Sequence, residues 1–194
     1  MGVSLSKGQT ISLAKPASGA GLKKVFMGLG WDPVKKKGFL GRIMSSDEID
    51  LDASVIVFDA QKKVLDTVWF RQLRSADGSI RHGGDNLTGE GDGDDEVIYV
   101  DLEKLSPAAT HLVFTVNSFR GQTFNDVDNA FARLVDEDTG EELCKYELTE
   151  KGAHTGVIMA TLAKTADGWA MTAHGAAAAG RTVNDMAAAA KSLI

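Results

Sequence analysis

The chain has 194 residues, 43% hydrophobic and 25% charged, with a formal net charge of -6 and a sequence pI near 5.2. That size and apolar content fit a single domain over 1–194 with a sizeable core. The acidic balance argues against a nucleic-acid partner, the lone Cys144 excludes an intrachain disulfide, and no apolar run is long enough to span a bilayer.

Met1 to Lys7 lacks the apolar core of a secretory signal, which with the single cysteine suits a reducing cytosol. Gly2 with Ser6 fits the loose myristoylation pattern, and the fit is read as chance because nothing else points to a lipid anchor. Gln9 to Leu13 alternates polar and apolar residues and predicts a strand. Pro16 to Gly21 is a loop. Lys24 to Trp31 predicts a second strand, whose Gly28-Leu29-Gly30 lacks the third glycine and the helix of a dinucleotide loop. A polar loop starts at Asp32 and continues to Asp47, carrying Lys35-Lys36-Lys37. Asp50 to Phe58 opens a largely buried strand, with Asp50 and Asp52 on one side of the chain.

Asp59 to Lys63 is a turn, Val64 to Phe70 a strand, and Ala76-Asp77-Gly78-Ser79 a hairpin-type turn. Val97 to Leu102 and His111 to Asn117 predict strands, and Phe124 to Asn129 one helical turn. Ala130 to Asp136 and Glu142 to Leu148 form a hairpin around Asp138-Thr139-Gly140, with Cys144 at an inert strand position. Thr155 to Lys164 and Trp169 to His174 close the series. Thr182 or Asn184 then caps a helix to about Leu193, with Val183, Met186, Ala187, Ala190 and Leu193 near one face. About ten antiparallel strands and a short C-terminal helix predict an all-β protein, a β-sandwich.

The least ordinary stretch lies between those strands. From Asp85 to Glu96 the chain holds six carboxylates (Asp85, Glu90, Asp92, Asp94, Asp95, Glu96) and no Lys or Arg. Glycines 89, 91 and 93 let the backbone turn so that carbonyls and carboxylates converge. An acidic, glycine-rich run can be a solvated loop. Here Asn86 and Thr88 add neutral oxygen ligands, and the run sits between apolar segments where an unbound charge cluster would cost stability. A hard cation, Ca2+ first, takes about six to eight such oxygens.

Asp85 and Glu96 match the first and last positions of a twelve-residue EF-hand loop. The rest fails: Leu87 and Gly89 stand where side-chain ligands belong, Glu90 stands at the required glycine, and strands replace the flanking helices. Six carboxylates exceed the need of one ion, and Asp50 and Asp52 are the best second source of ligands. The sequence therefore predicts a two-ion Ca2+ site from Asp50, Asp52, Asp85, Asn86, Leu87, Thr88, Gly89, Glu90, Asp92, Asp94, Asp95 and Glu96. Leu87 and Gly89 would contribute backbone carbonyls. The absence of His and Cys from the run argues against zinc, and a flexible loop suits Mg2+ less than Ca2+.

Two rival functions stay open. Arg81 and His82 precede the run, so a two-metal hydrolase or a tellurite-processing enzyme is one. A Ca2+-dependent membrane-surface adaptor, with Lys35 to Lys37 as its lipid contact, is the other. No nucleophile elbow or phosphate loop is present.

Gly28-Leu29-Gly30-Trp31-Asp32, Asp50-Leu51-Asp52-Ala53 and the run from Gly84 to Glu96 resemble the TerD family of tellurium-resistance and stress proteins. Trp31 to Gly38, Thr115 to Gln122 and Gly180 to Met186 are similar to its TerZ branch. The resemblance covers nearly the whole chain. It implies a single TerD-type calcium-binding sandwich with two Ca2+ sites, bacterial and cytoplasmic, possibly peripheral to the inner membrane. It also implies a non-enzymatic stress-response role in a membrane-associated complex with other Ter proteins. The implied ligands fall on Asp50, Asp52 and the 85–96 run. Arg71-Gln72 departs from the asparagines of the TerD branch, and the alanine runs 176–179 and 187–190 are plainer than the family's tail.

Overall fold

Residues 2–13, 21–33, 50–84, 93–149 and 151–194 are described by the computed structural model of the chain. Among them are twelve strands and one helix. The strands are β1 (Val3–Leu5), β2 (Thr10–Ser12), β3 (Lys24–Pro33), β4 (Leu51–Phe58), β5 (Val64–Val68) and β6 (Ile80–His82). They continue with β7 (Glu96–Asp101), β8 (His111–Ser118), β9 (Val127–Asp136), β10 (Glu142–Glu147), β11 (Gly156–Thr165) and β12 (Gly168–Ala178), and the helix α1 is Val183–Ser192. Two six-stranded sheets form, in the orders β1-β10-β9-β3-β7-β6 and β2-β12-β11-β8-β4-β5.

The sandwich expected from alternation is present. Its inner faces share one apolar core, to which β3 gives Val25, Met27 and Leu29, β4 gives Leu51, Ala53, Val55 and Val57, and β8 gives Leu112, Phe114 and Val116. Ile56, Phe58, Val113 and Ile158 face the other way and pack with Val183, Met186 and Ala190 of α1. That second cluster explains why β4 is buried at all eight positions, since both faces of the strand are covered. Of the expected helix face, Val183, Met186 and Ala190 are buried and Leu193 is exposed. No helix among the described residues is long and apolar enough to cross a membrane.

Three details differ from the sequence reading. β1 and β6 are additional strands of three residues each, too short to show a period. β1 pairs with β10 in parallel, so one pairing departs from the antiparallel rule. Phe124 and Asn125 form a turn rather than a helical turn, and β9 already begins at Val127. The alanines after Gly175 extend β12, where Ala176, Ala177 and Ala178 pair with Ile158, Val157 and Gly156.

The hairpin turn at 76–79 is held by Asp77. Its carboxylate accepts hydrogen bonds from Ser75 Oγ (2.7 Å), from Ser79 N–H (2.9 Å) and hydroxyl, and from Ser106 N–H (3.1 Å). Burial alone would raise its pKa. The hydrogen bonds from Ser79, Ser75 and Ser106 outweigh that and hold it below the ordinary 3.8. A depressed pKa stabilises the fold above the ordinary value and loses that contribution as pH falls through it toward the lowered one. Asp77→Ala should cost about 1 kcal/mol at neutral pH and flatten the acid limb of the stability curve, measured by urea melts across pH.

Candidate metal site

One end of the sandwich gathers the acidic residues. β4 starts there, β8 ends there, and β7 starts there at Glu96. Asp50 and Asp52 are only 7% and 4% exposed at the entrance of β4. Alternation along β4 turns Leu51 and Ala53 to the core and leaves Asp52 on the face shared with Ser54 and Ile56. Arg120 Nε lies 3.0 Å from Asp50 Oδ2. Asn117, opposite Asp52 in the β4–β8 register, donates through Nδ2 to Arg181 O at 2.8 Å, with Asp52 Oδ2 at 3.4 Å. Its Oδ1 is buried and accepts no hydrogen bond among the described residues. An acceptor of that kind beside a buried carboxylate lacks a positive neighbour.

The end of the acidic run is tied down residue by residue. Asp94 receives Arg133 in a two-pronged pair, Nε to Oδ1 at 2.7 Å and Nη2 to Oδ2 at 2.8 Å. It rests on Gly28 of β3, where an added Cβ would lie 2.3 Å from the carboxylate. At Gly30 an added Cβ would meet the Phe131 ring at 2.4 Å and Gly93 O at 2.8 Å. The two glycines therefore leave β3 bare so that the run can lie across it. Asp95 accepts the Trp31 N–H at 2.7 Å. Burial pushes its carboxyl up to about 6, the Trp31 hydrogen bond opposes this, and the charges of Asp32, Glu96 and Asp94 push further up. Crowding of this kind is what a bound cation would relieve.

Glu96 is buried and accepts the Ala53 N–H at 2.7 Å. His82 Nε2 stands 3.3 Å from the same carboxylate and 3.1 Å from Ala53 O. Gly84 N–H donates to His82 Nδ1 at 3.2 Å, so Nδ1 carries the lone pair and Nε2 the proton. Both ring nitrogens are engaged.

The structure thus brings Asp94, Asp95 and Glu96 to the same end as Asp50 and Asp52. The candidates Asp85, Asn86, Leu87, Thr88, Gly89, Glu90 and Asp92 lie outside the described residues, as do Lys35 to Lys37. Among the described residues no three acidic, His or Cys side chains converge closely enough to hold an ion by themselves. The donors present are hard oxygens, which fit Ca2+ rather than zinc.

Sequence reasoning missed Asp32. It lies near Asp95, and its Oδ2 accepts from Asn129 Nδ2 at 2.7 Å. Asn129 adopts φ 51, a left-handed backbone uncommon for a non-glycine residue. The available signal was Asp32 following a glycine-alternating strand, since Leu29 pairs with Glu96.

Comparison with known proteins agrees with this architecture. A family model described as the TerD domain matches residues 1–189. The tellurium resistance protein TerZ of Serratia marcescens is 55% identical over 185 residues, covering 95% of this chain and 94% of that protein. The stress response protein SCP2 of Bacillus subtilis (strain 168) is 41% identical over 187 residues, covering 90% and 92%. The crystal structure of a TerD homologue from Streptomyces coelicolor A3(2) superposes with a TM-score of 0.68 at 24% identity, over 86% of this chain and 96% of that one. These relatives are named for resistance or stress and carry no enzymatic name. The chain therefore belongs to the TerD family of tellurium-resistance and stress proteins.

Proposed function

We propose that the chain is a calcium-binding module that holds two Ca2+ between Asp50, Asp52 and the 85–96 segment, and that it works by association with other Ter proteins rather than by catalysis. The observation that supports this most is the buried pair of Asp52 and Asn117, with Asn117 Oδ1 lacking a hydrogen-bond donor among the described residues. Asp50, Asp95 and Glu96 supply further oxygens at the same end, and Asp32 is added to the set. Arg133 gives Asp94 an anchoring role beside any ligand role.

The hydrolase reading is disfavoured by the neighbours it needs. His82 is buried with both nitrogens engaged, which leaves it no lone pair for a substrate proton. Arg81 is stacked on the Tyr99 ring, 3.9 Å from its centroid.

Calorimetry on metal-stripped protein tests the reading. Ca2+ should bind much more tightly than Mg2+, with two ions per chain. Asp52→Asn combined with Asp85→Asn should weaken Ca2+ binding by at least about 10-fold through loss of ligand charge. Unchanged heats in that double variant would sink the proposal.

A further inference from the structure

We propose that two Phe-Arg turn tips at this end of the sandwich, Phe70-Arg71 and Phe119-Arg120, form one docking surface for an anionic lipid bilayer. The same dipeptide occurs at two turns 49 residues apart, and the fold sets the two side by side. Trp69 and Gln72 exchange backbone hydrogen bonds of 3.1 and 2.9 Å, which leaves Phe70 and Arg71 as a two-residue tip after β5. Phe119 and Arg120 follow β8 in a bend held by Gly121 N–H donating to Ser118 Oγ at 3.1 Å.

The tips join through their rings. Phe70 meets Trp69 edge-on at 4.9 Å and Phe119 at 5.8 Å. Trp69 packs against the cluster under α1, so the group is anchored in the fold. The Arg71 guanidinium lies 5.6, 5.3 and 5.7 Å from the centroids of Trp69, Phe70 and Phe119. Stacking uses the guanidinium face and leaves its in-plane N–H donors for an anion. Arg71 is exposed and forms no ion pair with a carboxylate among the described residues. Phe119 remains 40% exposed, and Leu73, on the return of the same hairpin, 46%.

Aromatic rings beside guanidinium groups, at the tips of turns, suit the lipid headgroup layer. The rings sit among the acyl–headgroup boundary and the guanidiniums meet phosphates. The patch is cationic in a chain whose net charge is -6, so its complement is an anionic surface. Two adjacent convex tips match a deformable bilayer better than a protein partner, which would need a matching pocket for each ring. This contact lies on different residues from the lysine run at 35–37, and it does not require a bound cation. Arg120 reaches Asp50, so the surface begins where the calcium site is proposed.

Co-sedimentation with vesicles tests it, using phosphatidylcholine alone and phosphatidylcholine with one-third phosphatidylglycerol, each in calcium and in chelator. The chain should pellet with the mixed vesicles and not with the neutral ones. Arg71→Glu, an exposed change that leaves the fold intact, should weaken the association about fivefold or more, the value of one basic group at such a surface. Phe70→Ser with Phe119→Ser should remove most of it while the melting temperature and calcium heats stay near those of the parent chain. Equal pelleting by all variants, or no pelleting of the parent chain in either buffer, would overturn the lipid assignment. Absence of lipid binding with intact calcium heats would leave the calcium reading standing.

Discussion

Glu96→Ala should lower the unfolding free energy by about 2–4 kcal/mol, the largest stability loss expected from a single change at the acidic end of the sandwich. Glu96 opens β7, yet its carboxylate crosses between the sheets to accept the Ala53 N–H of β4. That amide is buried, and no other hydrogen bond is described for it. Alanine would leave it without an acceptor and leave a void where the side chain was. His82 would lose one of its two acceptors and keep Ala53 O. Glu96→Gln keeps an oxygen for Ala53 and should cost less in chelator, because an amide is cheaper to bury than a carboxylate. In calcium the order should sharpen. If Glu96 also faces the ion, the glutamine variant will gain less stability from added Ca2+ than the parent chain does. Urea melts of the three proteins with and without calcium would show both effects. A glutamine variant that gains as much from Ca2+ as the parent would assign Glu96 a purely structural part.

The His82–Glu96–Ala53 contact shows where sequence reading stops. Asp50, Asp52 and Glu96 were legible as acidic residues at strand entrances, because alternation of apolar residues fixes where β4 and β7 begin. Their common end followed from antiparallel pairing. The contact with Ala53 joins residues 43 apart, on strands from different sheets, and no local period encodes that. His82 was expected at the surface or in a hydrogen bond, and it is buried in one. Asp32 was read as the first residue of a polar loop, yet β3 runs to Pro33 and carries Asp32 beside Asp95. A pairing register was needed to see this. Gly28 and Gly30 were weighed only as a failed dinucleotide loop. Their use is to be absent as side chains, which becomes visible once Asp94 and Phe131 lie on them. The C-terminal helix was legible by its caps and apolar face, while the parallel partner of β1 was not, since three residues carry too little pattern.

That reading of the glycines leads to a change that removes no oxygen from the site. Gly28→Ala places a methyl group 2.3 Å from Asp94 Cγ and Oδ2, closer than atoms can approach. Backbone on the β3 side is fixed by pairing with β7 and β9, so the carboxylate must move. Its movement breaks the two-pronged grip of Arg133 and shifts the neighbouring Asp95, whose own carboxylate is bonded to Trp31 N–H. Overpacking of this kind should cost about 1–3 kcal/mol of stability in chelator. Calcium affinity should fall about 10–100-fold, the usual effect of disturbing groups that orient metal ligands. Arg133→Gln removes the same grip from the opposite side without crowding β3. It should weaken calcium in the same direction with a smaller loss of stability, because no atoms are forced together. Calorimetry for affinity and urea melts in chelator separate the two contributions. If Gly28→Ala binds calcium as tightly as the parent chain, Asp94 and its glycine seat do not order the site, and the ligands must be held by residues 85–92 and the entrance of β4 alone.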